Sequence, residues 1–271
     1  MEKLEEIRMK KRIAGLFISL ICFLALSACS SSSDSSKNNA KQLVMGTSAD
    51  YPPFEYVDTA NGDDIIGFDA DLAKALGEKT GYEIVVKDMD FNGLITSLQS
   101  GKVDFVMAGM EATEDRKENA DFTDPYFRSD ISMVVDKNSG IKAFEDIKDK
   151  VVGVQVGSIQ AEKAKELQKT VDFQLETRDR VPDLVQEINS GRFDGVLMED
   201  VVAKGYLKKN DNLTTIAVPS NETGGAAIAF QKDSKLTSKF NDALKEMKEN
   251  GEMDKLVAKW FNGEKSLEIA D

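Results

Sequence analysis

The side chains that could do chemistry in this sequence are mainly carboxylates, because the chain contains no histidine. Without histidine, Ser-His-Asp and Cys-His nucleophilic sites and most zinc sites are excluded. Two carboxylates suffice for acid–base catalysis, and they equally suit the capture of an ammonium group. The candidate pair is Glu111 and Glu199, since each lies where an apolar run typical of a buried strand ends.

An internal repeat places the strand ends at 108–111 and 198–200, which carry these two residues, in equivalent positions. The segments ITSLQSGKVDFVMAG (95–109) and VQEINSGRFDGVLME (185–199) align without gaps. Both show a helical pattern, a Ser-Gly-basic turn, and an aspartate before a buried strand. One interpretation is that any helix–turn–strand unit looks like this; the other is two similar α/β lobes. Since ligands of open α/β sheets bind beyond the carboxyl ends of strands, two facing lobes would place Glu111 and Glu199 across one cleft.

The other elements of the body favour the same architecture. Strand candidates and amphipathic helical faces alternate along the chain, which predicts parallel sheets with helices on their faces. The strand candidates are 43–45, 84–86 and 103–108. One helical face consists of Phe68, Leu72, Ala75 and Leu76, and Gly81 can end that helix. A second face consists of Leu94, Ile95 and Leu98. The predicted fold class is α/β, a two-lobed clamshell in which each lobe is a mainly parallel sheet flanked by helices.

Two chain crossings are expected to join the lobes. The strand 131–136 leads out of the first lobe, and 226–230, after Gly224-Gly225, leads back to a helical segment at 236–261. The predicted first lobe comprises 42–131 and 226–271, and the second lobe comprises 132–225. Two short crossings make a hinge, which permits closure around a ligand.

The N-terminus has the pattern of an export signal. Lys10, Lys11 and Arg12 precede an apolar run that ends in LSAC (26–29), which is too short for a comfortable transmembrane helix. The tetrad resembles a bacterial lipobox, whose cysteine, here Cys29, is acylated with a fatty acid such as palmitate. A plain signal peptide cut near Ala28 is the alternative. We predict a signal peptide at 1–28 and a flexible serine-rich tether at 29–41. Translation starts at Met1 or Met9.

Composition excludes further classes of protein. The net charge of −13 leaves no basic face for nucleic acid. Both cysteines, Cys22 and Cys29, lie in the export segment, so no disulfide can stabilise the body.

The body resembles a known family, the substrate-binding lipoproteins of polar amino acid ABC importers (bacterial extracellular solute-binding proteins, family 3). Five blocks match in order and spacing between Leu43 and about Gly263. They are GTSADYPPFEY (46–56), GFDADLAKAL (67–76), the long block 91–127 from FNGLITSLQSGKVDFVMAG to FTDPYF, VGVQVGSIQ (152–160) and KWF (259–261). The resemblance implies the two-lobed fold of periplasmic binding proteins.

The resemblance also implies a partner for the carboxylate of a bound amino acid. Arg116 matches the arginine of the family's T-x-x-R motif, and a guanidinium fork fits two carboxylate oxygens. Across the cleft, Ser158, Ile159 and Gln160 open a helix whose free amides suit an anion. Ile159 replaces the family's usual hydroxyl residue, which keeps the amide and removes a side-chain hydrogen bond.

For the ammonium group, Glu199 stands where the family usually has aspartate, with adjacent Asp200 as the alternative. The Gly109 carbonyl is a second acceptor. Glu111 departs from the family's serine or threonine; it either joins the ligand site or is an outward-facing loop acid.

Aromatic residues complete the implied site. Tyr51 and Phe91 match the family's aromatic walls, which stack on the flat part of a ligand side chain; either ring could instead belong to the core.

We therefore expect a protein that binds a free L-amino acid outside the cell and delivers it to an ABC permease. Glu111, Glu199 and Asp50 favour arginine or lysine over glutamine, cystine or other polar ligands. The protein is expected to be a non-enzymatic monomer without cofactor or metal, held at the outer face of the membrane only by its lipid anchor. The alternative is a cyclohexadienyl-dehydratase-like enzyme on the same scaffold, which would use Glu111 and Glu199 as catalytic carboxylates.

Overall fold

The computed structural model describes residues 41–219 and 224–261. The predicted signal peptide, the acylated Cys29 and the tether up to residue 40 lie outside the described residues. Within them, two five-stranded sheets define a first lobe and a second lobe. A smaller antiparallel sheet of β2 (Asp50–Tyr51), β3 (Glu55–Asp58) and β4 (Asp64–Ile66) follows the first strand.

The two main sheets have the same plan, with three parallel strands and two strands that pair antiparallel. The first-lobe sheet contains, in spatial order, β5 (Tyr82–Asp88), β1 (Lys41–Thr47), β6 (Phe105–Val106), β13 (Ala229–Phe230) and β7 (Asp121–Phe122). The second-lobe sheet contains β10 (Gln174–Arg178), β9 (Val151–Gln155), β11 (Gly195–Glu199), β8 (Ile131–Asp136) and β12 (Leu213–Ala217). The sheets are mixed because the strand that follows each crossing, β8 or β13, runs against the parallel strands.

The described residues form eight α-helices. They are α1 (Phe68–Thr80), α2 (Leu94–Gln99), α3 (Glu114–Asn119), α4 (Ile159–Leu167), α5 (Val181–Asn189), α6 (Asp200–Leu207), α7 (Lys235–Glu249) and α8 (Glu252–Trp260). Helix α1 buries Phe68, Leu72 and Leu76 as the periodicity predicts. It ends at Gly81, whose φ of 80° and amide hydrogen bond to the Gly77 carbonyl form a left-handed cap that favours glycine.

The internal repeat corresponds to the same position in both lobes. Strand β6 lies between a parallel and an antiparallel neighbour in its sheet, and so does β11. Before β6, the carboxylate of Asp104 accepts a hydrogen bond from the Val44 amide at 2.7 Å. Before β11, Asp194 does the same for Val151 at 2.9 Å. The conserved spacing of helix, turn and aspartate thus builds equivalent units in two similar lobes.

Two predicted strands are shorter in the structure than their apolar runs. The run 103–108 pairs only over Phe105–Val106, and the run 226–230 pairs only over Ala229–Phe230, with an isolated bridge from Ala226 to Glu111. Both runs are buried apart from Asp104, which is exposed. An apolar run therefore predicts burial here but not the length of the strand. The hydrogen-bonded pairing ends where the chain turns toward the space between the lobes.

A cluster of phenylalanines holds the cleft side of the first lobe. Phe54, Phe68, Phe127 and Phe261 are buried and pack on one another, with the rings of Phe127 and Phe261 stacked at a centroid distance of 4.2 Å. Tyr51 stacks on Phe54 at 5.9 Å. Because interiors of this kind are close-packed, the cluster fixes the position of the Tyr51 ring.

Candidate functional site

All nine residues predicted to contact a ligand line one cleft between the two lobes. They are Tyr51, Phe91, Gly109, Glu111, Arg116, Ser158, Ile159, Gln160 and Glu199. Five further residues line it: Asp50, whose charge favoured a basic ligand in the sequence, and Ser48, Glu55, Ala108 and Gln155, which had no predicted role. The cavity volume is about 20 Å³, roughly the space of one water molecule. The lobes must therefore separate before a larger molecule can enter, and contact of these residues with a ligand stays a prediction.

The cleft lies beyond the carboxyl ends of the parallel strands, as open α/β sheets require. Strand β1 leads to Ser48 and β6 to Gly109 in the first lobe, while β9 ends at Gln155 and β11 at Glu199 in the second. Gly109 adopts a φ of 56°, and a β-carbon there would lie 3.4 Å from the Tyr51 ring. Glycine therefore lets the backbone pass close to the aromatic wall.

Arg116 lies between the lobes. Its helix α3 begins at Thr113, whose hydroxyl accepts a hydrogen bond from the Arg116 amide at 3.3 Å. The guanidinium donates to the Glu111 carbonyl at 2.7 Å and, across the cleft, to the Gly157 carbonyl at 2.9 Å. It also lies 5.3 Å from the centre of the Phe91 ring. Burial lowers the pKa of Arg116, yet an arginine stays protonated at neutral pH.

Facing Arg116, helix α4 presents its N-terminus. The Ser158 hydroxyl caps the helix by accepting from the Ala161 amide at 3.2 Å, and it donates to the Gln155 carbonyl at 2.7 Å. The Ser158 hydroxyl thus makes its hydrogen bonds to backbone groups of the protein. The amides of Ile159 and Gln160 belong to the first turn, which lacks intrahelical acceptors and attracts anions.

Glu199 ends β11 in the second lobe and is buried. Ser129 donates a short hydrogen bond to its carboxylate. Burial raises the pKa of Glu199 to about 8, although the Ser129 hydrogen bond opposes this shift. The neighbouring Asp200 starts helix α6, pairs with Lys204 at 3.3 Å, and is not among the described residues that line the cleft.

Glu55 is the acidic residue that sequence reasoning missed. It is fully buried, and among the described residues its carboxyl meets the Asp69 carboxyl and no N–H or hydroxyl donor. Burial raises its pKa well above the usual range, and the adjacent carboxyl of Asp69 adds to the shift. Asp69 in turn accepts hydrogen bonds from the Gly109 amide at 2.9 Å and the Tyr126 hydroxyl at 2.7 Å. The signal was present in the block GTSADYPPFEY, but a lone glutamate in a short strand indicates no role by itself.

Glu111 is half-buried and reaches the cleft, so it is not a free loop acid. Its backbone bridges to Ala226, and its carboxylate accepts a hydrogen bond from the Gly224 amide on the returning crossing. A β-carbon at Gly224 would lie 2.4 Å from that carboxylate. Burial raises the pKa of Glu111.

One larger groove at the surface, of about 670 Å³, has a chemistry that suits an amino acid less well. It is lined by Pro52, Tyr56, Trp260 and three lysines, Lys204, Lys208 and Lys209. Lysines would repel an ammonium group. Among residues 41–219 and 224–261, no group of acidic side chains is arranged to hold a metal ion. In the same ranges, no helix has the length and apolar character needed to cross a membrane.

Comparison with known proteins agrees with this geometry. The sequence model of the bacterial extracellular solute-binding proteins, family 3, matches residues 43–263. The chain belongs to this family. The arginine-binding extracellular protein ArtP of Bacillus subtilis (strain 168) is 54% identical over 259 residues, which cover 95% of this chain and 100% of ArtP. The solved structure of an ancestral arginine-binding protein bound to arginine is 42% identical, with a TM-score of 0.76, and the match covers 81% of this chain and 98% of that one.

The same comparison bears on the enzymatic alternative. The ancestral amino acid-binding protein AncCDT-1, described as a precursor of cyclohexadienyl dehydratase, matches at 35% identity with a TM-score of 0.74 over 81% of this chain and 95% of its own. It is more distant than ArtP. The family membership confirms the predicted two-lobed fold and the predicted role: the protein is an extracellular amino acid-binding component of an ABC importer and not an enzyme.

Proposed function

We propose that the protein binds L-arginine in the cleft between its lobes and delivers it to an ABC permease while anchored to the membrane by acylated Cys29. The observation that carries the choice of arginine is the fully buried Glu55 carboxyl, which lines the same cleft as the Arg116 guanidinium. Burial and the neighbouring Asp69 carboxyl raise the pKa of Glu55 well above its usual range, and a cation beside the group would favour its charged form. A ligand with a second positive charge supplies that cation.

The carboxylate of the ligand would bind Arg116 and the first amides of helix α4. In the present conformation the Arg116 guanidinium donates to two backbone carbonyls, at Glu111 and Gly157. A ligand carboxylate would replace these neutral acceptors by a charged one that accepts two parallel hydrogen bonds. The amides of Ile159 and Gln160 would complete the anion site.

The ammonium group would bind Glu199 and the carbonyl of Gly109. Glu199 is buried, with a pKa raised to about 8, so an ammonium group beside it would favour the charged form. Burial of the pair is favourable only with further hydrogen bonds, and the Ser129 hydroxyl supplies one to the carboxylate.

The guanidinium of the ligand would lie between Tyr51 and Phe91 and reach Glu55. A guanidinium is planar, stacks on aromatic rings, and binds a carboxylate through two nitrogens. Lysine offers only a point charge, so arginine fits a carboxylate at the end of an aromatic slot better. The name of ArtP, an arginine-binding protein at 54% identity, supports the same choice.

Titration calorimetry of the mature chain tests this proposal. We expect tight binding of L-arginine, weaker binding of L-lysine and L-ornithine, and little binding of L-glutamine or L-cystine. Arg116→Ala should weaken arginine binding by about 30-fold or more, since removing one partner of a buried charge pair costs about 2–5 kcal/mol. Arg192→Ala is the matched control, because Arg192 pairs with Glu187 inside the second lobe.

Two results would contradict the proposal. If Arg116→Ala bound arginine with full affinity, the assignment of Arg116 to the ligand site would be wrong. If the unmodified chain bound glutamine or cystine in preference to arginine, the proposed ligand would be wrong. The role in amino acid binding would not be contradicted. Incubation with prephenate or arogenate should yield no product.

A further inference from the structure

Asp50 is a first-lobe residue that accepts two hydrogen bonds from the second lobe. Its carboxylate accepts a hydrogen bond from the Val181 amide at 3.2 Å, and its backbone carbonyl accepts one from the Tyr206 hydroxyl at 2.7 Å. The Ser48 hydroxyl occupies the other carboxylate oxygen at 3.3 Å. Asp50 lines the cleft, but its charge faces protein donors rather than the ligand space.

The contact with Val181 completes the start of helix α5. The residue at the N-cap position is Arg180, which makes no side-chain capping hydrogen bond. Arginine has no acceptor with which to cap a helix, so the first amides of α5 lack a partner from their own segment. Asp50 supplies the carboxylate that preferred capping residues normally provide, and it does so from the other lobe.

Arg180 makes the reciprocal contacts. Its guanidinium donates to both carboxylate oxygens of Asp88, at 2.9 and 3.2 Å, and to Asp90 at 2.8 Å. It also lies 3.9 Å from the Asp50 carboxylate. All three carboxylates belong to the first lobe. The start of α5 is thus a cationic element that fits an acidic cluster formed by Asp50, Asp88 and Asp90.

We propose that Arg180 and Asp50 form a closure latch, which sets ligand affinity by stabilising the closed arrangement of the lobes without touching the ligand. Asp88 ends β5 and Arg180 follows β10, and these are the edge strands farthest from the crossing strands in the two sheets, so separation of the lobes breaks the latch. The cleft of about 20 Å³ must open to admit a ligand. Binding therefore reflects the free energy of closure as well as the contacts of the ligand.

The inference uses the proposed function only for the choice of probe. L-Arginine is titrated into the unmodified chain, Arg180→Ala, Asp50→Asn and the control Arg192→Ala. Arg192→Ala also removes an ion-paired arginine of the second lobe, but its partner Glu187 is in the same lobe. We expect Arg180→Ala to weaken arginine binding about fivefold or more, within the range of typical coupling energies. The control should stay within about twofold of the unmodified chain.

Small-angle X-ray scattering supplies a readout that a ligand-contacting role would not change. Without arginine, Arg180→Ala should have a larger radius of gyration than the unmodified chain; with saturating arginine the two should agree. High salt should reduce the affinity difference, because the pair is partly exposed, with 27% of the Arg180 side chain accessible. A double-mutant cycle with Asp88→Asn should show strong coupling to Arg180→Ala.

The outcomes separate the two proposals. If the unmodified chain binds another amino acid in preference to arginine, the proposed cargo is wrong, and the latch is tested with that amino acid and with scattering. If Arg180→Ala matches Arg192→Ala in both affinity and radius of gyration, the latch is wrong. Should Arg180→Ala fail to fold, Asp90→Asn, which removes one carboxylate from an exposed position, replaces it in both measurements.

Discussion

The hydroxyl of Tyr51 accepts a hydrogen bond across the cleft from the backbone amide of Glu199, at 3.4 Å. The two residues come from different lobes, so this bond also depends on closure. Tyr51→Phe keeps the ring stacked on Phe54 and removes the acceptor. A net hydrogen bond contributes about 0.5–1.5 kcal/mol, so arginine affinity should fall about twofold to tenfold. Calorimetry measures this; an unchanged affinity would show that the bond is not formed in the bound state.

Charge removal at Glu55 should change the choice of ligand. Glu55→Gln keeps the size of the side chain and loses the charge proposed to bind the guanidinium. Hydrogen bonds to charged groups contribute about 1.5–3 kcal/mol, so arginine affinity should fall about 10-fold to 150-fold, and glutamine affinity should fall less. Glu114→Gln is the control, because 89% of the Glu114 side chain is exposed. Equal losses for arginine and glutamine would contradict the assigned role.

Arginine binding should release protons below pH 8. In the present conformation, burial raises the pKa of Glu199 to about 8 and that of Asp69 to about 6. A cationic ligand lowers the pKa of Glu199 and also that of Glu55, which burial raises well above its usual range, so affinity should rise with pH through about 8. Calorimetry at pH 6.5 in buffers of different ionisation enthalpy counts the protons. Glu199→Gln should release fewer protons when arginine binds. Proton uptake on binding would contradict the role given to Glu199.

The same carboxyl should make stability depend on pH. The folded pKa of Glu199 is raised above its ordinary value of 4.5, so the folded chain binds this proton more tightly than the unfolded chain. Its contribution is fully present below pH 4.5 and is lost as pH rises through about 8. Urea denaturation of Glu199→Gln should show a smaller loss of unfolding free energy between pH 5 and 8 than the unmodified chain does.

Gly67 should be intolerant of substitution. It has a φ of 137°, and a β-carbon there would lie 2.1 Å from the Phe54 carbonyl oxygen. Gly67→Ala should destabilise the fold by about 3 kcal/mol or more, since both backbone strain and a clash with backbone are involved. Gly93→Ala, at a glycine with open space around it, should be nearly neutral. Urea denaturation compares the two.

Cys29 should decide where the protein resides in the cell. If the LSAC tetrad directs acylation, Cys29→Ser should move the protein from the membrane fraction to the soluble exported fraction. Fractionation followed by immunoblotting measures this, and mass spectrometry of the mature N-terminus identifies the acyl group. Membrane retention of Cys29→Ser would contradict the lipid anchor.

Much of the fold and most of the cleft could be predicted because they depend on local signals. Helix α1 follows from apolar spacing and the glycine at its end, and β8 begins and ends at the predicted residues, Ile131 and Asp136. The repeated helix–turn–strand unit predicted that Glu111 and Glu199 share a cleft. The strands predicted at 103–108 and 226–230 were too long, since apolar runs indicate burial and not pairing.

The sequence by itself determined that Glu199 lies at a cleft between two α/β lobes. Strand ends and the internal repeat can be recognised from patterns of consecutive residues. Only the tertiary structure decided what the other acidic residues do. Asp50, whose charge favoured a basic ligand in the sequence, lines the cleft and also accepts a hydrogen bond from the first amide of helix α5, at Val181, 131 residues away. Glu55, which had no assigned role, is the buried carboxylate that lacks a donor among the described residues. The physical reason is that burial and hydrogen-bond partners arise from contacts between distant segments, which no local pattern encodes.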